Sequence, residues 1–383
     1  MSLPVTSRER LPDLSALPAR VPLERIVEPA SKWPQFAPRW EKLAEGAEYS
    51  VFLSPLWMET WLETFGDVVD ASIVSFRSAG QDVGACLLVR SAPTLTQPLR
   101  KVSLNASGEP SADTLYVELN DILCRPGWQG ETAGALAEYL MQQSWDECKL
   151  DGFCSGPAYD VLKLQFAGLE IEEQWQASYH VDLAALRTAG ISYSKALGPG
   201  RGKYVQRKMG YHSHQGELRV EAAATVEEAI CMLEELAVLN CRRFEALGRR
   251  GIWSSSRFTA FHRSFVRRGF AAGKIQMLRI SAGSQTVGLL YNLLHQNKAY
   301  FYQCGYNYTD DKRLSPGVVT LAMAVEYCRQ AGLDEFDFLA GDSAYKEWMS
   351  TGRRQLVWAL IRRPGPRVWM YTRLRTLKHR IAS

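Results

Sequence analysis

No stretch of the 383-residue sequence forms the roughly 20-residue apolar run that a bilayer-spanning helix needs. The opening MSLPVTSRERLPDLSALPARVPLERI mixes proline with charge where a signal peptide would place an apolar core. Both absences point to a soluble protein. Charge of one sign is scarce as well: 45 Lys and Arg against 41 Asp and Glu leave a net charge of only +4, too little for a dedicated nucleic-acid binder, so no DNA partner is expected. The eight cysteines, at 86, 124, 148, 154, 231, 241, 304 and 328, form no CxxC pair, and the six histidines make no cluster with them at metal-ligand spacing. No metal is expected, and reduced, scattered thiols suit a cytoplasmic protein.

What is present is a core-forming composition, 46% hydrophobic with 11 Trp and 16 Tyr. Single cores stop growing at roughly 250 to 300 residues, so the length calls for two domains. Residues 1–25 read as a flexible lead. Helices are expected near 32–43 and 55–65, strands near 71–76, 83–90 and 119–124, a helix near 131–143, a strand at 148–151 and a helix after Pro157. The second half repeats this order: a strand at 217–223, a long helix opened by Thr225 with Glu228 three residues on, and a second helix near 258–270. Three strands at 275–281, 286–294 and 299–304 follow, then a helix from Pro316 and a strand at 335–339. An α/β fold with a mixed sheet results, divided at a glycine-rich linker, 187–200, into units 26–186 and 201–383. The echo of Asp151-Gly152-Phe153-Cys154 in Asp337-Phe338-Leu339-Ala340 supports duplication.

Two clusters carry candidate chemistry. In Lys312-Arg313-Leu314-Ser315-Pro316-Gly317-Val318, Ser315 suits a helix N-cap and Pro316 the first helical position. Helix-start N–H groups there, with Lys312, Arg313, Ser315, Gly317 and Val318, suit the phosphates of a cofactor, although a plain capped helix has the same pattern. In Phe336 to Trp348, a strand delivers Asp337, Gly341 allows a turn, and Tyr345 and Lys346 follow on a short helix. Asp337, Tyr345 and Lys346 would supply a base, a proton donor and an anion clamp, against the bland reading of a strand-end carboxylate, a rim aromatic and a surface charge. Arg201 to His214 is basic and aromatic; helical periodicity puts Arg201, Lys208 and His212 on one face and Lys203 and Arg207 on another. Arg207, Lys208, Tyr302 and Asp342 are candidate substrate contacts. His295, at a strand end, is more simply a turn residue. The basic run Arg367 to Ile381 reads as a docked terminal helix, with membrane-surface contact the less favoured alternative.

Lys203 to about Arg363, above all Leu314-Ser315-Pro316-Gly317, Phe336 to Asp342 and Tyr345-Lys346-Glu347-Trp348, resembles the bacterial GNAT group called the BioF2-like or CelD-like acetyltransferase domain, related to the Fem aminoacyltransferases. The resemblance implies tandem GNAT-like domains, acyl-CoA (acetyl or longer) as co-substrate, and Tyr345 protonating the departing thiolate. The expected activity is acyl transfer to an amine or hydroxyl of a cell-envelope, polysaccharide or small-molecule acceptor. The usual GNAT pyrophosphate loop is not intact in Arg313 to Val318. A Fem-like transferase using aminoacyl-tRNA, held by the basic Arg201 to His214 segment, therefore stands as an alternative, as does a non-catalytic GNAT-like scaffold in envelope assembly.

Overall fold

A computed structural model describes residues 23–94, 97–341 and 343–373. Strand β1 (Glu24–Pro29) leads through α1 (Trp33–Ala44) and α2 (Pro55–Phe65) to β2 (Asp70–Ser78), β3 (Gln81–Ser91), β4 (Lys101–Leu104) and the two-residue β5 (Leu123–Cys124). Then come α3 (Gln129–Gln142), β6 (Glu147–Cys154), α4 (Pro157–Gln165) and the long β7 (Glu170–Asp182). Three helices, α5 (Leu183–Thr188), α6 (Tyr193–Ala196) and α7 (Gly198–Ser213), occupy the stretch expected to be a linker. The order then recurs as β8 (Leu218–Ala222), α8 (Val226–Ala246), α9 (Ser256–Phe270), β9 (Ile275–Ala282), β10 (Gln285–His295), β11 (Lys298–Tyr306), α10 (Pro316–Gln330), β12 (Glu335–Ala340), α11 (Ala344–Met349) and β13 (Gly352–Arg362).

The local signals act as their chemistry requires. Ser54 accepts the Trp57 N–H to start α2, with Pro55 at its first position. Thr225 accepts the Glu228 N–H at 3.1 Å, and the Glu228 carboxylate answers by accepting the Ala224 N–H at 2.7 Å. The central strands β3 and β10 are buried over seven consecutive residues each, as strands covered by helices on both faces must be.

All strands join one sheet in the order β1-β2-β3-β4-β6-β13-β7-β12-β11-β10-β9-β8, with β5 beside β3. The order is a palindrome: β1 to β4 and β6 of the first half mirror β8 to β11 and β12 of the second. The two innermost strands are exchanged. β13, from the end of the chain, lies between β6 and β7, and β7 lies between β13 and β12. They pair antiparallel from Gly352 opposite His180 to Arg362 opposite Glu170. The units therefore share their last strands rather than ending at one boundary.

The core follows the same plan. On one face a single apolar cluster runs from α1 and α2 to α8 and α9, with Trp57 of α2 against Phe261, Phe265 and Tyr302 at 4.8 to 5.7 Å between ring centroids. On the other face two separate clusters lie under α3 with α4 and under α5 to α7 with α10.

Several expectations need correcting. β1 begins inside the supposed lead, whose first 22 residues lie outside the described residues. The expected strand at 119–124 reduces to β5 and a single bridge at Asn120. The echo is out of register, because Asp151 stands fifth in β6 and Asp337 third in β12. Of the basic C-terminal run only residues up to 373 are described; there Val368 is buried while Trp369 and Met370 are exposed.

The exchange predicts that neither half folds alone. Residues 23–182 expressed without β13 would expose unpaired edges on β6 and β7, and circular dichroism with size-exclusion chromatography should show an unfolded or aggregated chain. In the full chain, Leu356→Ala on β13, whose side chain is fully buried, should cost about 2 to 5 kcal/mol in a single unfolding transition.

Candidate functional site

Each half holds one parallel strand pair that separates after three residues. β4 and β6 pair from Lys101–Glu147 to Ser103–Lys149; β11 and β12 pair from Lys298–Glu335 to Tyr300–Asp337. The wedge-shaped gap beyond each pair has opposite fates in the two halves.

In the first half the chain fills the gap itself. Asn120 lies beside Phe153 like a short parallel strand; its N–H donates to Gly152 O at 2.8 Å and its carbonyl accepts the Cys154 N–H at 3.0 Å. The Asn105 amide donates to Asn120 Oδ1 and Asp121 O, both at 2.7 Å, and the Asn120 amide donates to Leu104 O and Asp151 O. Two buried carboxamides thus satisfy the backbone that the parting strands leave open. The tyrosine corresponding to Tyr345, Tyr159 of α4, is buried and bonds Glu173 at 2.5 Å.

In the second half the gap stays open as a cavity of about 260 Å³ between Phe301 to Cys304 of β11 and Phe338 to Ala340 of β12. Both strands bulge here. Tyr291 faces Gln303 and Asn292 faces Phe301, so Tyr302 is the extra residue of β11. On β12 the register slips between Asp337 and Leu339, and Leu339 has φ +62°. Ala340, at the strand end, is clamped from both sides. Lys346 Nζ donates to its carbonyl at 2.5 Å and to Leu339 O at 3.3 Å. Its N–H donates to the carboxylate of Glu118, which arrives from the first half. Burial pushes the Glu118 carboxyl up to about 7 against the opposing pull of the Ala340 N–H and the Lys346 charge. Burial likewise lowers the pKa of Lys346, and the Glu118 charge opposes it. Tyr345 is 39% exposed at the cavity rim, and burial holds its phenol well above the usual range, so it stays protonated.

The expected residues do not all meet here. Tyr345 and Lys346 line the cavity; Asp337 does not. Fully buried, Asp337 accepts Ser178 Oγ–H at 3.2 Å and the Leu339 N–H at 2.7 Å, and lies 3.6 Å from Arg354. It holds the β12 bulge in place, and its expected role as base is corrected to that of support. The Tyr302 ring turns into the aromatic core against Phe52, Trp57, His262 and Tyr291, so the residue meets the cavity without projecting its side chain as a free contact. The helical faces expected for Arg201 to His214 do form, but the Lys208 and His212 face is buried. Lys208 Nζ donates to Arg313 O at 2.6 Å and so fixes the loop before α10, while Arg207 stays exposed beside the Tyr204 ring. Asp342 lies outside the described residues. His295 is buried against Tyr49, away from the gap, and burial lowers its pKa to about 4.

At the start of α10, Ser315 makes no side-chain cap, which leaves the first-turn N–H groups of Gly317 and Val318 open. Arg313 is exposed but bound by the Asp311 carboxylate, and Lys312 is exposed. A side chain at Gly317 would meet the Tyr306 ring at 3.2 Å, so glycine keeps this turn close to β11.

On the first-half side a larger cleft of about 800 Å³ adjoins the gap; Tyr116 and Glu118 line both. Lys101, Ser103, Lys149 and Asp151 line it, with Trp358 of β13. Lys149 pairs with Asp151 at 3.0 Å, and Lys101 with Glu147 at 3.5 Å. Glu109 anchors the wall, accepting the Leu115 N–H at 2.6 Å and Trp61 Nε1–H at 3.3 Å, and burial pushes its carboxyl up to about 7. Among the described residues no group of His, Cys, Asp and Glu is arranged to hold a metal, and no helix is long and apolar enough to cross a membrane.

Residues 201–347, which contain β11, α10, β12 and most of α11, match the Acetyltransferase (GNAT) domain. This is a GNAT fold. A crystal structure of FemX superposes with a TM-score of 0.55 at 10% identity, covering 84% of this chain and 95% of that one. L-PGS from Bacillus licheniformis gives a TM-score of 0.51 at 10% identity, covering 89% of this chain and 96% of that one. No curated protein matches the sequence. The matched segment contains the strands of the open gap rather than those of the sealed one.

Glu109 tests the electrostatics of the cleft independently of any ligand. Its folded-state pKa lies above the unfolded value, so the stability it contributes is present below about pH 4.3 and is lost as pH rises through about 7. Glu109→Gln removes the titration and keeps an acceptor for one of the two N–H donors; the loss of the other is the same at every pH and cancels in a comparison between two pH values. Urea unfolding at pH 5 and pH 8 should show the variant gaining roughly 1 to 3 kcal/mol over the wild type between the two.

Proposed function

We propose that the protein transfers an acyl group from acyl-CoA to an amine or hydroxyl of a polar acceptor, a glycan, cell-envelope precursor or small molecule, with the donor in the second-half gap and the acceptor in the adjoining cleft. The observation that carries this reading is Glu118, a carboxylate raised to about 7 at the junction of the two cavities, beside Tyr345 and Lys346. The open N–H groups of Gly317 and Val318, with Lys312 and Arg313, suit the donor phosphates.

The chemistry divides among these residues. Glu118 takes the proton from the acceptor nitrogen or oxygen as that atom bonds to the thioester carbonyl carbon. Lys346, holding the Ala340 carbonyl, keeps a positive charge beside the carbonyl oxygen as negative charge develops on it. When the carbon–sulfur bond breaks, Tyr345 gives its phenolic proton to the thiolate, and solvent returns the tyrosine and Glu118 to their starting states. A phenol held above its usual pKa carries its proton when the reaction begins, and a carboxyl near 7 suits the base.

The same geometry admits a second donor. Lys203 and Arg207 of α7 and Lys312 of the loop before α10 are exposed, and Lys208 ties that loop to α7, which favours an extended polyanion such as aminoacyl-tRNA.

Acetyl-CoA and longer acyl-CoAs, offered with a panel of amine and hydroxyl acceptors, test the main reading. Turnover should rise with pH to a plateau, with a midpoint near 7. Glu118→Gln should lower kcat by about 100-fold or more and abolish that midpoint, and Tyr345→Phe should lower kcat by about 10-fold or more, both with the melting temperature kept. Absence of binding by any coenzyme A species at millimolar concentration removes the acyl-CoA reading. Salt-dependent binding of charged tRNA, weakened by Arg207→Ala, would then install the second.

A further inference from the structure

A third cavity, of about 310 Å³, lies along residues 119–124, where the end of β6 and the start of β13 approach the start of β11. The acyl-transfer chemistry uses none of its polar groups. Arg354 of β13 enters from one side. Its Nη2 is engaged by Glu335, with Asp337 behind at 3.6 Å, while Nε and Nη1 have no hydrogen-bond partner among the described residues. Asp121 enters from the plug segment. One of its oxygens accepts the Ile122 N–H at 2.7 Å, and no cation among the described residues pairs with the carboxylate. Cys154 lines the cavity too; burial raises its thiol pKa, the Asp121 charge adds to the rise and the Arg354 charge opposes it. Tyr300, 97% buried, lines the cavity, and its hydroxyl has no partner among the described residues. Leu53 and Ile122 make part of the remaining wall apolar.

The Glu48–Lys298 ion pair also lines the cavity and is satisfied within itself, whereas the guanidinium and the Asp121 carboxylate share the cavity without pairing with each other, an arrangement suited to a ligand carrying both opposite charges. The volume is at the small end for ligand sites, too small for coenzyme A. We infer that this cavity binds a small zwitterion of amino-acid size, its carboxylate on Arg354, its ammonium on Asp121 and an aliphatic side chain against Leu53 and Ile122. Tyr300 donates its hydroxyl proton to the same carboxylate. Burial holds the Asp121 carboxyl up to about 7, as befits a carboxylate with no cation against it. Arg354 also touches Asp337, the support of the β12 bulge, so the ligand sits one residue away from the framework of the donor gap.

Calorimetric titration of the full-length protein with the common aliphatic L-amino acids, and separately with acetate and with methylamine, tests the inference without reference to catalysis. At least one amino acid should bind saturably and at least 10-fold tighter than acetate or methylamine. Asp121→Asn, which keeps an acceptor for the Ile122 N–H, should weaken that binding by 10-fold or more, as should Arg354→Gln. Glu118→Gln should leave it unchanged. Absence of saturable binding, equal binding of acetate, retention of affinity in Asp121→Asn, or loss of binding on Glu118→Gln would each overturn the inference; the last would place the ligand in the acceptor cleft. Should Arg354→Gln fail to fold, Asp121→Asn decides alone.

Discussion

The antiparallel pairing of β7 with β13 is the constraint on which the rest of the structure depends. Each strand closes the half to which it does not belong in sequence, so the sheet can form only when both halves of the chain are in place. The pairing fixes the distance between the halves at a single strand spacing. It thereby brings the plug segment of one half against the gap of the other, close enough for Glu118 to receive the N–H of Ala340. A looser tether would leave that carboxylate in solvent, where its pKa would return toward the ordinary carboxylate value.

The two gaps show how one topology yields two outcomes. Parting parallel strands leave backbone N–H and C=O groups without partners, and those groups must be satisfied by something. In the first half two asparagines do so permanently. In the second half the clamp on Ala340 is made of a lysine and a carboxylate, whose charges remain available to a substrate. The difference lies in the chain segment that enters one gap and not the other, and in the side chains that each gap then presents.

Much of this was legible in the sequence because it depends on local signals. Ser54 and Thr225 with Glu228 mark helix starts through hydrogen bonds made within four residues, Pro316 does so through its fixed φ, and the second-half meander declares itself by short turns. The strands β1, β4 and β7 did not stand out. β7 opens with Glu170, Glu172 and Glu173, a charged pattern that becomes a strand only because β13 lies along it. Tyr345 and Lys346 could be read because strand, turn and helix succeed one another within the motif. Glu118 could not, since nothing in its own neighbourhood differs from an ordinary loop acid and its partners stand more than 200 residues away. Asp337 was misread for a related reason: strand position gives a carboxylate's location but not the bulge it supports or the arginine behind it.

The division of labour around the 105–124 segment affects how the protein tolerates change. The acceptor-facing wall and the plug belong to one copy of the repeat, while the donor gap, its bulges and the Tyr345 helix belong to the other. Substitutions at Ser103 or Thr114 reshape the cleft without touching the gap between β11 and β12, whereas Tyr116 lines both. Under the proposed reading most of what shapes the cleft and most of what shapes the gap are written in separate stretches of the gene, and Glu118 is the reacting group that lies with the former.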